Sequence, residues 1–127
     1  MTIVSTPSAP LSSLEQEFWK ESSAGSAGNF YQRHMIAEGF VVIPSGVVSR
    51  DELIVKWNRH DPVTRYELSE PHFTLVDGSN VVITYHVTAD ADWLPRYSAH
   101  MTALYTWEGA GWALAVRTHT PVAEFSF

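Results

Sequence analysis

The sequence predicts an α+β fold: three helices in the first half, a short strand pair between the second and third, then four long antiparallel strands in a meander. Three observations predict it. Helical patterning with capping signals is confined to the first 57 residues. From Val63 onward every segment reads as strand. Residues 97–121 read as two long strands joined at Glu108-Gly109-Ala110-Gly111, glycines that supply the positive φ of a tight hairpin turn.

In chain order, Ser12 or Ser13 with an acid or amide three positions on predicts a capping box, opening a helix that buries Leu11, Leu14, Phe18 and Trp19. Residues 1–10, rich in Ser and Pro, are expected to be a flexible tail, leaving 11–127 as one domain. Serines, alanines and two glycines over Ser22–Gly28 predict a loop, and Asn29–Ile36 a second short helix ended by Gly39. Phe40-Val41-Val42-Ile43 is a β-branched run stopped by Pro44, with Val47-Val48 as the return strand. Ser49 then caps a third helix, Arg50 to Trp57, with acids in its first turn, where the helix dipole favours them. A long strand from Val63 meets Asp77-Gly78, a hairpin signal, and Pro71 within it marks a bulge or an edge. Asn80–Ala89 follows, then a loop around Asp90–Arg96, then the closing hairpin.

With Gly109 and Ala110 as the two loop residues, Trp107 faces Trp112 and His100 falls opposite His119. Alternation then puts Met101, Ala103, Tyr105, Trp107, Trp112, Leu114 and Val116 on an oily face. It puts His100, Thr102, Leu104, Thr106, Ala113, Ala115, Arg117 and His119 on the other. A bulge in the last strand, common where sheets bend, would swap which of Arg117 and His119 points inward.

Composition excludes more than it selects. A net charge of −6 with no Lys/Arg cluster argues against a nucleic-acid partner. Without cysteine there is no disulfide, thiolate nucleophile or cysteine metal site. His60-Asp61 and His86 with Asp90 lack the further ligands a zinc site needs, so no metal and no cofactor is expected. Neither a phosphate loop nor a nucleophile elbow is present. No run of about eighteen apolar residues occurs, and the N-terminus lacks a signal-like segment, so a cytoplasmic protein without a membrane partner is the expectation. Five Trp, five Tyr and six Phe exceed what a minimal core needs, which favours a lined pocket or an interface as well.

Several strings, in this order, carry a resemblance: Leu14 to Trp19, Phe30-Tyr31 with His34, Pro44 then Gly46, Ser49-Arg50-Asp51, Tyr66-Glu67-Leu68-Ser69, Val82-Ile83-Thr84-Tyr85 leading to Thr88-Ala89, Tyr105, and Trp112 running to Thr120-Pro121. Over residues 14 to 122 the chain resembles the nuclear transport factor 2-like superfamily, which contains ketosteroid isomerase-like and SnoaL-like proteins. More narrowly it resembles the bacterial family named as domain of unknown function 4440. The resemblance implies a cone-like, strongly bent antiparallel sheet wrapped around the helices, a cavity at its wide end, and a homodimer formed through the sheet. The chain departs from that pattern at Ser26-Ala27, where relatives have Gly-Asp. On the last strand Arg117 and His119 stand where relatives often place a histidine and a glutamine.

The candidate site follows from these faces. Arg117, His100 and His119, with His86 on the neighbouring strand, could hold an anionic or carbonyl-bearing ligand, a histidine serving as acid or base. The competing reading is a solvated or dimer-facing sheet surface. Tyr31, Tyr66, Tyr85 and Tyr105, with Trp19 and Trp57, could line a cavity or simply fill a core. Glu67 is the best-placed strand carboxylate for proton abstraction, though alternation with Tyr66 and Leu68 turns it outward. Three functions stay open: a small-molecule binder; a cofactor-independent isomerase, dehydratase or cyclase using His119, His100 or Glu67; and a dimeric association module with a filled cavity.

Overall fold

The computed structural model describes residues 8–58, 62–91 and 94–122. Three helices, α1 (Ser8–Ser23), α2 (Ala27–His34) and α3 (Arg50–Lys56), accompany seven strands: β1 (Met35–Ile43), β2 (Gly46–Ser49), β3 (Arg65–Leu68), β4 (His72–Asp77), β5 (Asn80–Ala91), β6 (Leu94–Trp107) and β7 (Trp112–Pro121). Together they make an α+β cone in which the strongly curved sheet is not closed. Strand order is β2-β1-β7-β6-β5-β3, with β4 also paired to β5. One pairing corrects the expectation of a wholly antiparallel sheet, because β1 lies parallel to β7. The sheet is therefore mixed.

Helix α1 begins at Ser8, so Ser12 and Ser13 lie inside it rather than capping it, and it takes in three of the ten residues expected as tail. The second helix runs two residues earlier than expected, with β1 starting at Met35 directly after it. Gly39 is a buried strand residue and does not end the helical unit. Arg50, at the start of α3, donates to the carbonyls of Gln32 and Met35 at 2.8 and 3.0 Å, placing a cation at the negative end of α2. Ser49 caps α3 as expected, its hydroxyl accepting from the Glu52 N–H. Pro71, unable to donate a ladder bond, falls in the break that splits the expected strand into β3 and β4.

The closing hairpin starts in the expected register, with Trp107 opposite Trp112, Gly109 at φ 87° and the Glu108 N–H on the Gly111 carbonyl at 2.9 Å. It does not stay there. Pairing passes from Tyr105↔Leu114 to Leu104↔Val116, leaving Ala115 as an extra residue on β7. This bulge shifts all later pairing by one, so His119 faces Met101 and His100 faces Thr120. Both Arg117 and His119, being two residues apart, turn inward together, and both are buried. Val116 moves to the outer face beside Leu104, and Trp107, placed on the oily face by sequence, is 45% exposed.

Leu11, Phe18 and Trp19 of α1, Phe30 and Tyr31 of α2, and Leu53 of α3 pack on the inward residues of β5, β6 and β7 to form the core. Phe18 is its hub, meeting Trp19, Phe30 and Tyr31 edge-to-face at 5.2, 5.4 and 5.5 Å between ring centroids. Among the described residues no helix is long and apolar enough to cross a membrane.

Candidate functional site

Two features meet inside the cone, a polar knot and a cavity. The knot forms because Glu15, on the buried stripe of α1, faces Arg117 of β7 across the core, and both are almost wholly buried. Arg117 holds the carboxylate with two nitrogens, Nε to Oε1 at 3.3 Å and Nη2 to Oε2. The third nitrogen, Nη1, donates to the Tyr31 hydroxyl at 2.9 Å. Tyr85 donates to Glu15 Oε1 at 2.7 Å, Tyr105 to Oε2, and the Trp19 indole N–H to the Tyr85 hydroxyl at 2.9 Å. Every polar group therefore has a partner, the condition under which a buried ion pair is tolerated. The guanidinium also lies over the Phe18 ring, 3.8 Å from its centroid. Burial works against the Arg117 charge, yet Glu15 and the surrounding tyrosine oxygens outweigh it and hold the group well above its ordinary range. Burial pushes Tyr31 up to about 12 and raises Tyr85 and Tyr105 as well, so all three stay neutral, Tyr85 and Tyr105 donating and Tyr31 accepting.

The cavity, about 590 Å³, opens beside this knot between α1, the end of α3 and the ends of β5 to β7. Its origin is visible along β5, whose inward residues run Val81, Ile83, Tyr85, Val87 and then shrink to Ala89 and Ala91. Where alanine stands in place of a large side chain, the space is left open as the cavity. Phe18, Trp19, Trp57, Ile43 and Val48 give mostly apolar walls, with Lys56 and Asp90 at the edges. His119 lines the cavity as well. Its ring sits 5.7 Å from Trp57 and 6.4 Å from Phe18, and its Nδ1 lies 3.3 Å from the Tyr97 hydroxyl. Nε2 is buried without a hydrogen-bond partner among the described residues. Burial first, and then the nearby Arg117 charge, push His119 down to about 3, so the imidazole is neutral across the physiological range.

Of the residues proposed from sequence, His119, Trp19 and Trp57 line the cavity. Arg117, Tyr31, Tyr85 and Tyr105 come together on Glu15, and their polar groups satisfy one another. His100 is on the outer sheet face, its ring 5.3 Å from that of His86, which itself bonds the Ser98 hydroxyl at 2.7 Å. The expected cluster of His100 with Arg117 and His119 is not formed, because the Ala115 bulge puts them on opposite faces. Glu67 is exposed and lines a separate outer cleft of about 330 Å³ with Arg65, Tyr66 and Arg96. His60-Asp61 lies outside the described residues. Glu15 was missed. Its signal was its spacing, since it falls four residues after Leu11 and four before Trp19, on the stripe that must be buried.

No protein-family model matches the chain, and no curated protein matches it. Solved structures do. A nuclear transport factor 2-like protein from Cytophaga hutchinsonii superposes with a TM-score of 0.79 at 10% identity, over 93% of this chain and 100% of that one. A candidate ketosteroid isomerase from Parabacteroides distasonis matches with a TM-score of 0.75 at 14% identity, over 98% and 95%. A candidate calcium/calmodulin-dependent kinase II association domain from Exiguobacterium sibiricum matches at 0.77 and 11%, over 98% and 100%. At such identities the likeness establishes the fold, a nuclear transport factor 2-like cone, and the three neighbours differ in what they are named for.

Proposed function

We propose that this protein binds a small, largely apolar organic molecule in the cone cavity, with His119 as its polar anchor. One observation carries the reading: an apolar cavity of about 590 Å³ contains a buried imidazole whose Nε2 has no partner among the described residues. Native proteins rarely leave a buried polar atom unpaired, and a drug-sized cavity with few convergent polar groups is the usual form of a ligand site.

The acid–base alternative has less support from the geometry. Glu15, the buried carboxylate at the centre of the knot, is committed to Arg117 and two tyrosines, and a histidine held down at about 3 is a weak base at neutral pH. A module with a filled cavity fits the open volume poorly. The closer kinship with the domain of unknown function 4440 family rests on the local strings quoted above, and homodimerisation through the sheet belongs to the same proposal.

The test uses Nile red, an uncharged apolar dye, on the wild type and on Ala89→Phe, whose ring would occupy the space Ala89 leaves open. Saturable binding of one dye per chain is expected in the wild type. In a variant that keeps the wild-type circular dichroism that binding should be lost. Equal binding by both proteins would place the dye elsewhere and sink the reading.

A further inference from the structure

We propose, resting on the cavity reading above, that the site selects an uncharged ligand bearing a hydrogen-bond acceptor oxygen, which takes its hydrogen bond from the Nε2–H of His119. The tautomer follows from the Tyr97 contact. A phenol O–H is a stronger donor than an imidazole N–H, and an imidazole nitrogen a stronger acceptor than a phenol oxygen. In the 3.3 Å contact, Tyr97 therefore donates to Nδ1 and the ring proton sits on Nε2. That leaves a buried donor without an acceptor among the described residues. Leaving it so costs free energy, and a ligand oxygen removes that cost.

The exclusion of charge follows from the groups around the ring. Arg117, behind His119 on β7, has its donors engaged by Glu15 and Tyr31, so its cation is not free to pair with a ligand. Lys56 of α3, at the cavity edge, is paired with Glu52 at 3.3 Å. Asp90 of β5 would repel an anion, and its Oδ1 is already held by the Arg96 N–H at 2.9 Å. Phe18 of α1 and Trp57 beyond α3 set aromatic rings against the imidazole, neither carrying a charge. A carboxylate held at His119 would lie buried among apolar walls, with no cation there unless His119 took a proton, which both burial and Arg117 oppose, and only the already paired Lys56 at the cavity edge.

Three probes sharing one skeleton separate the terms: phenylcyclohexane, 4-phenylcyclohexanone and 4-phenylcyclohexanecarboxylate, titrated calorimetrically at pH 7.5. The ketone is expected to bind about three- to tenfold tighter than the hydrocarbon, the net worth of one hydrogen bond. The carboxylate is expected to bind at least about tenfold weaker than the ketone. In His119→Phe the advantage of the ketone over the hydrocarbon should vanish while the hydrocarbon still binds. Should that variant not fold, nitrogen-15 NMR of the wild type gives the same answer: Nε2 of His119 protonated at pH 7.5, its proton shifting with the ketone and not with the hydrocarbon. Hydrocarbon binding with no preference for the ketone would overturn the acceptor requirement and leave the cavity reading standing. A carboxylate bound as tightly as the ketone, with affinity rising as pH falls, would overturn the exclusion of anions. If no probe binds, and Nile red does not either, the cavity reading and this inference fail together.

Discussion

Arg117→Met would remove one side chain and leave Glu15 charged, buried and facing two tyrosine hydroxyls. Removing one partner of a buried pair strands the other, which costs about 3–5 kcal/mol. Glu15→Leu combined with Arg117→Met strands no charge and should recover part of that loss. Recovery stays incomplete because Tyr31, Tyr85 and Tyr105 then lose charged partners. Urea unfolding of the two variants checks this, and a double variant less stable than the single would show that the pair is not the source of the penalty. His119 carries a second residue-level prediction. Its folded value of about 3 lies below the ordinary imidazole value of 6.5, so the unfolded chain binds a proton that the folded one refuses. The stability held above pH 6.5 is therefore lost as pH falls toward 3, by up to about 1.4 kcal/mol per pH unit for one such group. Urea midpoints between pH 4 and 6.5 should slope downward on acidification in the wild type and more shallowly in His119→Phe. Parallel slopes would mean that His119 is not held neutral.

Among elements, legibility tracked how locally each is determined. The Ser49 cap, the Asp77-Gly78 turn and the Gly109 turn are written in residues whose own backbone or side chain enforces the feature, and the sequence predicts all three; Pro71 marks an irregularity, expected as a bulge or an edge and found as a break between two strands. The Ala115 bulge has no such mark. Alanine neither requires nor forbids it, and what favours it is tertiary: unbulged, β7 would expose Arg117 and His119 and bury Val116 and Thr118 in their place. Only the bulged register lets the Arg117 guanidinium reach the Glu15 carboxylate and the Tyr31 hydroxyl. Those contacts join residues up to 102 positions apart, which periodicity within one strand does not report. The parallel contact of β1 with β7 is equally non-local. The close seat of α2 on α3 also escaped notice, although it explains Gly28: a Cβ there would stand 2.5 Å from the Ile54 carbonyl oxygen. The aromatic lining was legible by residue type, and its division into knot and cavity was not, because that depends on which side of Tyr85 the alanines of β5 fall.

For the whole molecule, the outer face of the sheet bears on the dimer implied by the resemblance. Phe40, Val116, Leu104 and Val82 stand in register across β1, β7, β6 and β5, and each is only partly covered in the single chain. The adjacent row is Val42, Thr118, Thr102 and Thr84, so two successive rows contain no charge. Monomeric antiparallel sheets usually turn a polar, charged face to water, whereas a Thr- and aliphatic-rich face suits packing against a second sheet about 10 Å away. Charge depletion at the centre of a patch is also what separates interface cores from ordinary surface. In a dimer packed through this face, Leu104, near the middle of the apolar row, is the position where a charge would do most harm, since a lysine there would be buried against the second sheet. Sedimentation equilibrium at micromolar concentration should therefore give twice the 14.2 kDa chain mass for the wild type, and a single-chain mass for a folded Leu104→Lys variant. A wild type that sediments as one chain would refute dimerisation, while a Leu104→Lys dimer would move the interface off this face. Because the cavity lies on the opposite side of the sheet, Leu104→Lys should still bind Nile red, which keeps assembly and ligand binding separately measurable.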